Sequence, residues 1–199
     1  MQMNNIKKTI KIDDILHPES YKKVRKEKKT KIVETKRNRR LSVGPYATFF
    51  FENYETIWHQ IHEMIYIEKG GFQQAQEEIE AYRSLVPSGS EIVATLMFEL
   101  DVKEKREIFL RKVSGIENCV KLIIGEDSVL ANSEHDVERT RSDGKTSAVH
   151  FLHFPLSNKQ KELIKDFSQP FIISFDHTEY FYSEKINDNL RNSLISDLD

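Results

Sequence analysis

Apolar and polar residues recur with changing period along this chain, and each change of period marks an element. The most informative stretch is residues 39–68, RRLSVGPYATFFFENYETIWHQIHEMIYIE. A short strand at 41–43 meets Gly44-Pro45, a pair suited to a tight turn because glycine tolerates positive φ and proline fixes its own. The returning strand at 47–52 holds three consecutive phenylalanines without alternation, a pattern that predicts burial on both faces. Asn53 is suited to cap the helix that follows at 54–69. On that helix Tyr54, Ile57, Trp58, Ile61, Met64 and Ile65 share one face, which predicts a core-facing stripe. Glu55, His59, His62, Glu63 and Tyr66 gather on the opposite face, which is expected to be solvated.

Upstream, residues 1–10 read as loosely extended. Ile12, Ile15 and Leu16 fall at helical spacing behind Asp13 and Asp14. His17-Pro18 is expected to interrupt that turn, because the residue before proline is driven out of the helical region. Residues 19–31 read as a strongly basic helix whose few apolar positions, Tyr21 and Val24, predict weak packing. Downstream, Gly70-Gly71 ends the central helix, and a second helix at 72–86 completes a helical hairpin. Strands are expected at 91–100, 119–124, 128–136, 147–154 and 171–175, helices at 102–113 and 158–167, and a polar loop at 139–144. Asp176 is expected to cap a C-terminal helix ending near residue 194. Strands joined by short turns favour antiparallel pairing. The expected class is therefore α+β, with a single mixed, mainly antiparallel sheet covered by helices. Residues 1–35 are expected to form a basic arm or helix and residues 36–199 a single domain.

Composition changes this picture in three ways. The 199 residues, with 12 Phe and 7 Tyr, suffice for a sizeable core despite a charged content of 31%. The net charge of −2 hides an asymmetry: residues 1–40 hold 14 Lys/Arg against 5 Asp/Glu, the remainder 16 against 27. Cys119 is the only cysteine, which excludes intramolecular disulfides, cysteine-rich zinc sites and an intrachain iron–sulfur site. The N-terminus lacks the apolar stretch of a secretion signal, and no run approaches the roughly 20 apolar residues of a membrane span. A soluble, cytoplasmic protein with no membrane partner is the expectation.

Candidate chemistry is sparse. His59 and His62, at i and i+3 beside Glu63, could ligate zinc or iron, although the spacing is not that of a metalloprotease helix. His150 and His153, three apart on a strand, point to opposite faces and cannot chelate one ion together. Asp176-His177 at a strand end could orient a general base or simply cap a helix. Cys119 has no nucleophile signature and reads as a small buried residue. There is no GxGxxG and no GxxxxGK[ST], so no nucleotide-cofactor motif is present. Residues 22–40 hold 11 Lys/Arg in 19 positions. They could meet an acidic partner or an anion; nucleic acid is the less favoured reading, because interleaved aromatic residues are missing.

The blocks RRLSVGP, TFFFEN, the spacing of Thr56, Gln60, Glu63 and Met64, and then SGSEIVATLMFEL, TSAVHFLHFPL, FDHTEY and LRNSLISDL resemble domain-of-unknown-function family 3501. The resemblance runs from about residue 12 to 198. It implies a bacterial protein without an assigned activity, linked through gene neighbourhood to rubrerythrin-like and iron–sulfur oxidoreductase proteins. The implied role is a non-catalytic accessory protein with a redox or iron partner. A small metal- or anion-binding enzyme and nucleic-acid binding through the basic arm are the alternatives. Arg39, Arg40, Gly44, Pro45, Glu52, Asn53, Gln60 and Glu63 fall on the family-like pattern, whereas His59 and His62 fall outside it. The expected site is a polar network of Arg40, Glu52, Gln60 and Glu63, with Asp176 and His177 as further candidates.

Overall fold

The structure is a computed structural model and describes residues 7–133 and 144–199. Most of the loop expected at 139–144 lies outside the described residues. The element order is α1 (Pro18–Arg37), β1 (Arg40–Val43), β2 (Ala47–Phe51), α2 (Tyr54–Glu68), α3 (Gly71–Tyr82), β3 (Glu91–Phe98) and α4 (Lys103–Lys112). It continues with β4 (Val120–Ile124), β5 (Asp127–Leu130), β6 (Asn132–Ser133), β7 (Val149–Pro155), α5 (Asn158–Lys165), β8 (Phe171–Phe175), β9 (Ser183–Lys185) and α6 (Asp188–Ile195).

The class is α+β, but the strands form two sheets rather than one. The first has the order β1-β2-β3-β7-β6 and the second β5-β4-β8-β9. Every pairing is antiparallel, so the sheets are not mixed. The reason lies at Ala131. The run expected as one strand at 128–136, of which 134–136 lie outside the described residues, is broken there: β5 pairs with β4 in the second sheet, and β6 pairs with β7 in the first. A local pattern cannot show that one extended run serves two sheets.

The two sheets pack face to face. Alternate residues of β2 and β3 (Phe49, Phe51, Ile92, Leu96) join Leu122 and Ile124 of β4 and Phe171, Ile173 and Phe175 of β8 in one core. Phe49 and Phe175 bring their ring centroids to 5.4 Å across it. The triple phenylalanine thus alternates after all: Phe49 and Phe51 point between the sheets, and Phe50 points outward, half-buried. The helices α4, α5 and α6 add Leu110, Ile164, Leu190 and Leu194 to the same core.

Gly44 (φ +68°) makes the β1–β2 turn, and a Cβ there would stand 2.7 Å from the hydroxyl oxygen of Tyr180. That hydroxyl donates to the Val43 carbonyl at 2.7 Å and accepts from the Tyr46 and Ala47 amides. The turn is therefore clipped to the segment after β8. This segment is not a helix capped by Asp176. It forms a turn bridged between His177 and Tyr180 and then β9, and the last helix begins only after Asn187, whose side chain accepts from the Leu190 amide. Arg191, almost fully buried on α6, donates to the Leu163, Ile164 and Asp166 carbonyls at the end of α5 and to Gln169 O.

The outer face of the first sheet carries a separate small core of Ile57, Ile61 and Ile65 of α2, Ala75 of α3, Leu85 and Val93. Here α1 corrects the sequence reading twice. The turn at Ile12–Asp14 does end before His17, whose backbone lies outside the helical region as expected ahead of proline. But the helix that follows begins at Pro18 itself, at the first helical position, where its missing N–H costs no bond, and runs on to Arg37. And α1 packs firmly on α2. Tyr21, Arg25, Lys28 and Ile32 recur at helical spacing and face it: Tyr21 and Ile32 are buried, Arg25 lies 4.4 Å over the Tyr66 ring, and Lys28 lies 5.3 Å over Trp58. A boundary at residue 35/36 would fall inside this helix.

Candidate functional site

Because α1, α2 and α3 cover only part of the first sheet, a cleft of about 380 Å³ remains on its outer face. The pairing register builds the floor. Phe50 of β2 lies opposite Thr95 of β3, and Thr95 opposite Phe151 of β7, so that three outward-facing residues form one row. Met97 and Val149 form the next. Thr56 and Gln60 of α2 stand at one wall, with Tyr82 and Leu85 from the end of α3, and Lys36 and Arg39 enter from the end of α1.

Glu52 sits where the floor meets the wall, 7% exposed. Its carboxylate accepts from the Thr56 hydroxyl at 2.5 Å and the Thr95 hydroxyl at 2.8 Å. Among the described residues it forms no ion pair. Thr56 is held in place by a reciprocal cap, in which Asn53 Oδ1 accepts from the Thr56 amide and Thr56 Oγ1 from the Asn53 amide, each at 3.0 Å. Gln60 lines the cleft half-buried, and no bond from its amide to another described residue is present. Lys36 is exposed at the mouth.

Arg39, 2% exposed, fixes the base of this wall. Its guanidinium donates to the Phe51 carbonyl at 2.8 Å, the Glu52 carbonyl at 3.0 Å and Ser193 Oγ at 2.7 Å, and it ion-pairs with Asp197. Burial leaves the Asp197 carboxyl raised, and the Arg39 charge offsets only part of that rise. The C-terminal segment is thereby tied to the residues that carry Glu52.

The expected network is therefore divided, and its arginine is corrected from Arg40 to Arg39. Glu52 and Gln60 share the cleft. Arg40 lies exposed at its edge, 5.4 Å over the Phe50 ring and 3.4 Å from Glu99. Glu63 belongs to the other side of α2. It receives two bonds from Arg25 and one from the Tyr21 hydroxyl, all at 2.8 Å. Bonding to Arg25 above all holds the Glu63 carboxyl down at about 2, and burial beside that carboxylate raises the Tyr21 phenol.

The histidine face of α2 is covered by α1 rather than solvated. His62 is 2% exposed; its Nε2 accepts from the Leu16 amide at 2.9 Å, so its Nδ1–H donates to the Trp58 carbonyl at 2.7 Å. Both nitrogens are engaged, and burial pushes its pKa down to about 4. His59 is half-buried, and among the described residues its Nε2 has no hydrogen-bond partner. Neither His62 nitrogen can ligate a metal beside His59 without giving up a backbone bond. Among the described residues no three His, Cys, Asp or Glu side chains gather as metal ligands would.

Asp176 and His177 stand on the second sheet's side. Asp176 pairs with Lys121 at 3.0 Å, and His177 contacts the Ser114 carbonyl at 3.2 Å and accepts from the Glu179 amide. They share no cleft with Glu52. The fully buried His150 contacts the Ser147 carbonyl at 2.8 Å, and His153, on the opposite face, contacts Glu91 at 3.0 Å. Cys119 is half-buried, its thiol pushed up by burial and by Asp176 and Glu117. A second cleft of about 410 Å³, between α1, α2 and the N-terminal segment, is lined by Lys28, Trp58 and His59. Four of its charges are already paired, Lys7 with Asp14 and Lys31 with Glu55.

Thr95, Thr56 and Lys36 were not among the expected site residues. A threonine in a strand gives no signal of its own; only the register sets Thr95 beside Glu52. Arg39 was visible in the RR pair but not separable from Arg40.

Two comparisons place the chain among known proteins. The family model for a protein of unknown function, DUF3501, matches residues 9–198. The chain is 37% identical to a crystal structure of a novel protein of unknown function from Burkholderia pseudomallei K96243, covering 96% of this chain and 100% of that one, with a TM-score of 0.88. No match was found among curated proteins.

Proposed function

We propose, for a chain that belongs to the DUF3501 family, that it is a binding protein without catalytic chemistry of its own, holding a small ligand on the outer face of its first sheet. The observation that carries this reading is Glu52. Its carboxylate is buried, lines an open cleft and, among the described residues, has only two hydroxyl donors as partners. Small-molecule sites combine such a polar anchor with apolar walls in clefts of roughly 300–1,000 Å³. A catalytic centre would set a nucleophile beside a base and a group that orients the base. Lys36, Arg39 and Tyr82 also line this cleft, but among the described residues none of their side chains bonds the Glu52 carboxylate, which meets only the two threonine hydroxyls.

The test is amide NMR of the labelled protein against a fragment library. Shifts clustered at Glu52, Thr56, Gln60, Thr95 and Phe151 support the reading. Hits confined to the cleft beside Trp58 would overturn it.

The accessory role, with a cytoplasmic location and a redox or iron protein as partner, is the part of this proposal that follows from family resemblance. The outward face of α1 supports a partner surface, because Lys22, Lys23, Lys26 and Lys29 stand exposed on it. Among the described residues no helix is long and apolar enough to cross a membrane. A pull-down at low salt that recovers no redox or iron protein would count against this partner.

A further inference from the structure

We propose that the ligand of the Glu52 cleft is a small organic ammonium ion with a flat apolar body. This identification rests on the cleft being the binding site. Three features of the cleft converge on this class.

The first is the unbalanced carboxylate. Each oxygen of Glu52 accepts one hydroxyl, from Thr56 or Thr95, and a carboxylate oxygen can accept more than one bond. The nearest guanidinium, Arg39, meets Glu52 only through the backbone carbonyl and forms its ion pair with Asp197. A buried anion without a counter-charge favours a cation. An N⁺–H donor adds to what the two neutral hydroxyls supply.

The second is the floor. Outward-facing positions of a sheet that faces water are ordinarily polar. Here Phe50, Met97, Val149 and Phe151 take those positions and line an uncovered cleft. Aromatic faces and a thioether suit a flat hydrocarbon body, and ring faces also attract organic cations.

The third is what the cleft lacks. Among the described residues Glu52 is its only carboxylate. A bare Ca²⁺ ion is ordinarily held by several carboxylates and carbonyls, more negative charge than one carboxylate supplies. Lys36 and Arg39 also line the cleft, and their positive charge disfavours the several ammonium groups of a polyamine relative to a monocation. The ligand's ammonium therefore meets Glu52, its body lies on Phe50 and Phe151, and any polar tail meets Gln60 at the wall.

The experiment compares three probes of one shape: 2-phenylethylamine, 2-phenylethanol and 3-phenylpropionate. Each is titrated into the full chain by amide NMR. The amine is expected to bind at least tenfold more tightly than the alcohol or the acid, with shifts at Glu52, Thr95 and Phe151. In Glu52→Gln that preference disappears. Equal or tighter binding of the acid or alcohol in the same place would overturn the ammonium class and leave the cleft standing as the site. An amine preference that survives in a folded Glu52→Gln variant would overturn the class as well. No shift at cleft residues with any probe would overturn the cleft itself. Should the variant not fold, the three probes on the unaltered chain decide the matter alone.

Discussion

Glu52 and Glu63 flank the same helix, and the structure treats them in opposite ways. Glu63 is gripped by Arg25 and Tyr21, so its charge is balanced and its bonds join α1 to α2. Glu52 is more deeply buried, yet it receives only two neutral hydroxyls and faces a cleft. The difference teaches that burial of a carboxylate does not by itself mark a site. What marks it is whether the fold has already supplied the counter-charge.

The largest expected effect comes from removing the arginine behind Glu52. Arg39→Leu strands Asp197 in a buried setting and frees the backbone that carries Glu52. The expected loss is about 3–5 kcal/mol, measured by urea unfolding. A loss under 1 kcal/mol would show that the Glu52 side is not anchored from below.

On the other side, Glu63→Gln removes the anion beneath Arg25 and Tyr21. The expected loss is about 2 kcal/mol at neutral pH, in line with charge-assisted bonds. The effect depends on pH with a defined sign. The Glu63 carboxyl is lowered from 4.5 to about 2, so its contribution is full above 4.5 and is lost as pH falls towards 2. His62 adds an earlier step. The unfolded chain protonates it near 6.5, whereas the folded chain resists until about 4, so stability declines as pH drops between those values. Unfolding curves from pH 8 to 2 should show both steps, with Glu63→Gln removing only the lower one.

The smallest expected effect on stability is at Glu52→Gln, below about 1 kcal/mol, because the amide oxygen still accepts a hydroxyl. Its consequence should fall on ligand preference instead. If Glu52→Gln proved as costly as Glu63→Gln, the contrast between the two carboxylates would collapse.

Much of this fold was legible locally. Asn53 caps α2, Gly44 turns the hairpin, and the period of Ile57, Ile61 and Ile65 marks a core face, because these signals depend on residues within a turn or two of each other. The packing of α1 was hidden for a physical reason. Its buried stripe replaces two apolar positions with Arg25 and Lys28, which bind through ring faces and a carboxylate, and hydropathy scores them as solvent-facing. The site was half legible. Glu52 and Gln60 could be singled out in the sequence, but their separation from Glu63 could not, because that depended on which helix packs against which side of α2.

The sequence by itself determined the class, most elements and the absence of a cysteine framework. These follow from composition and short-range periodicity, which local sterics and hydrophobic burial impose directly. Only the tertiary structure decided that the strands divide into two sheets at Ala131, that Arg39 rather than Arg40 is the buried arginine, and that Thr95 stands beside Glu52. Each of these depends on pairing between residues far apart in the chain. Register and packing choose among partners that are locally equivalent, and that choice is made by the whole core at once.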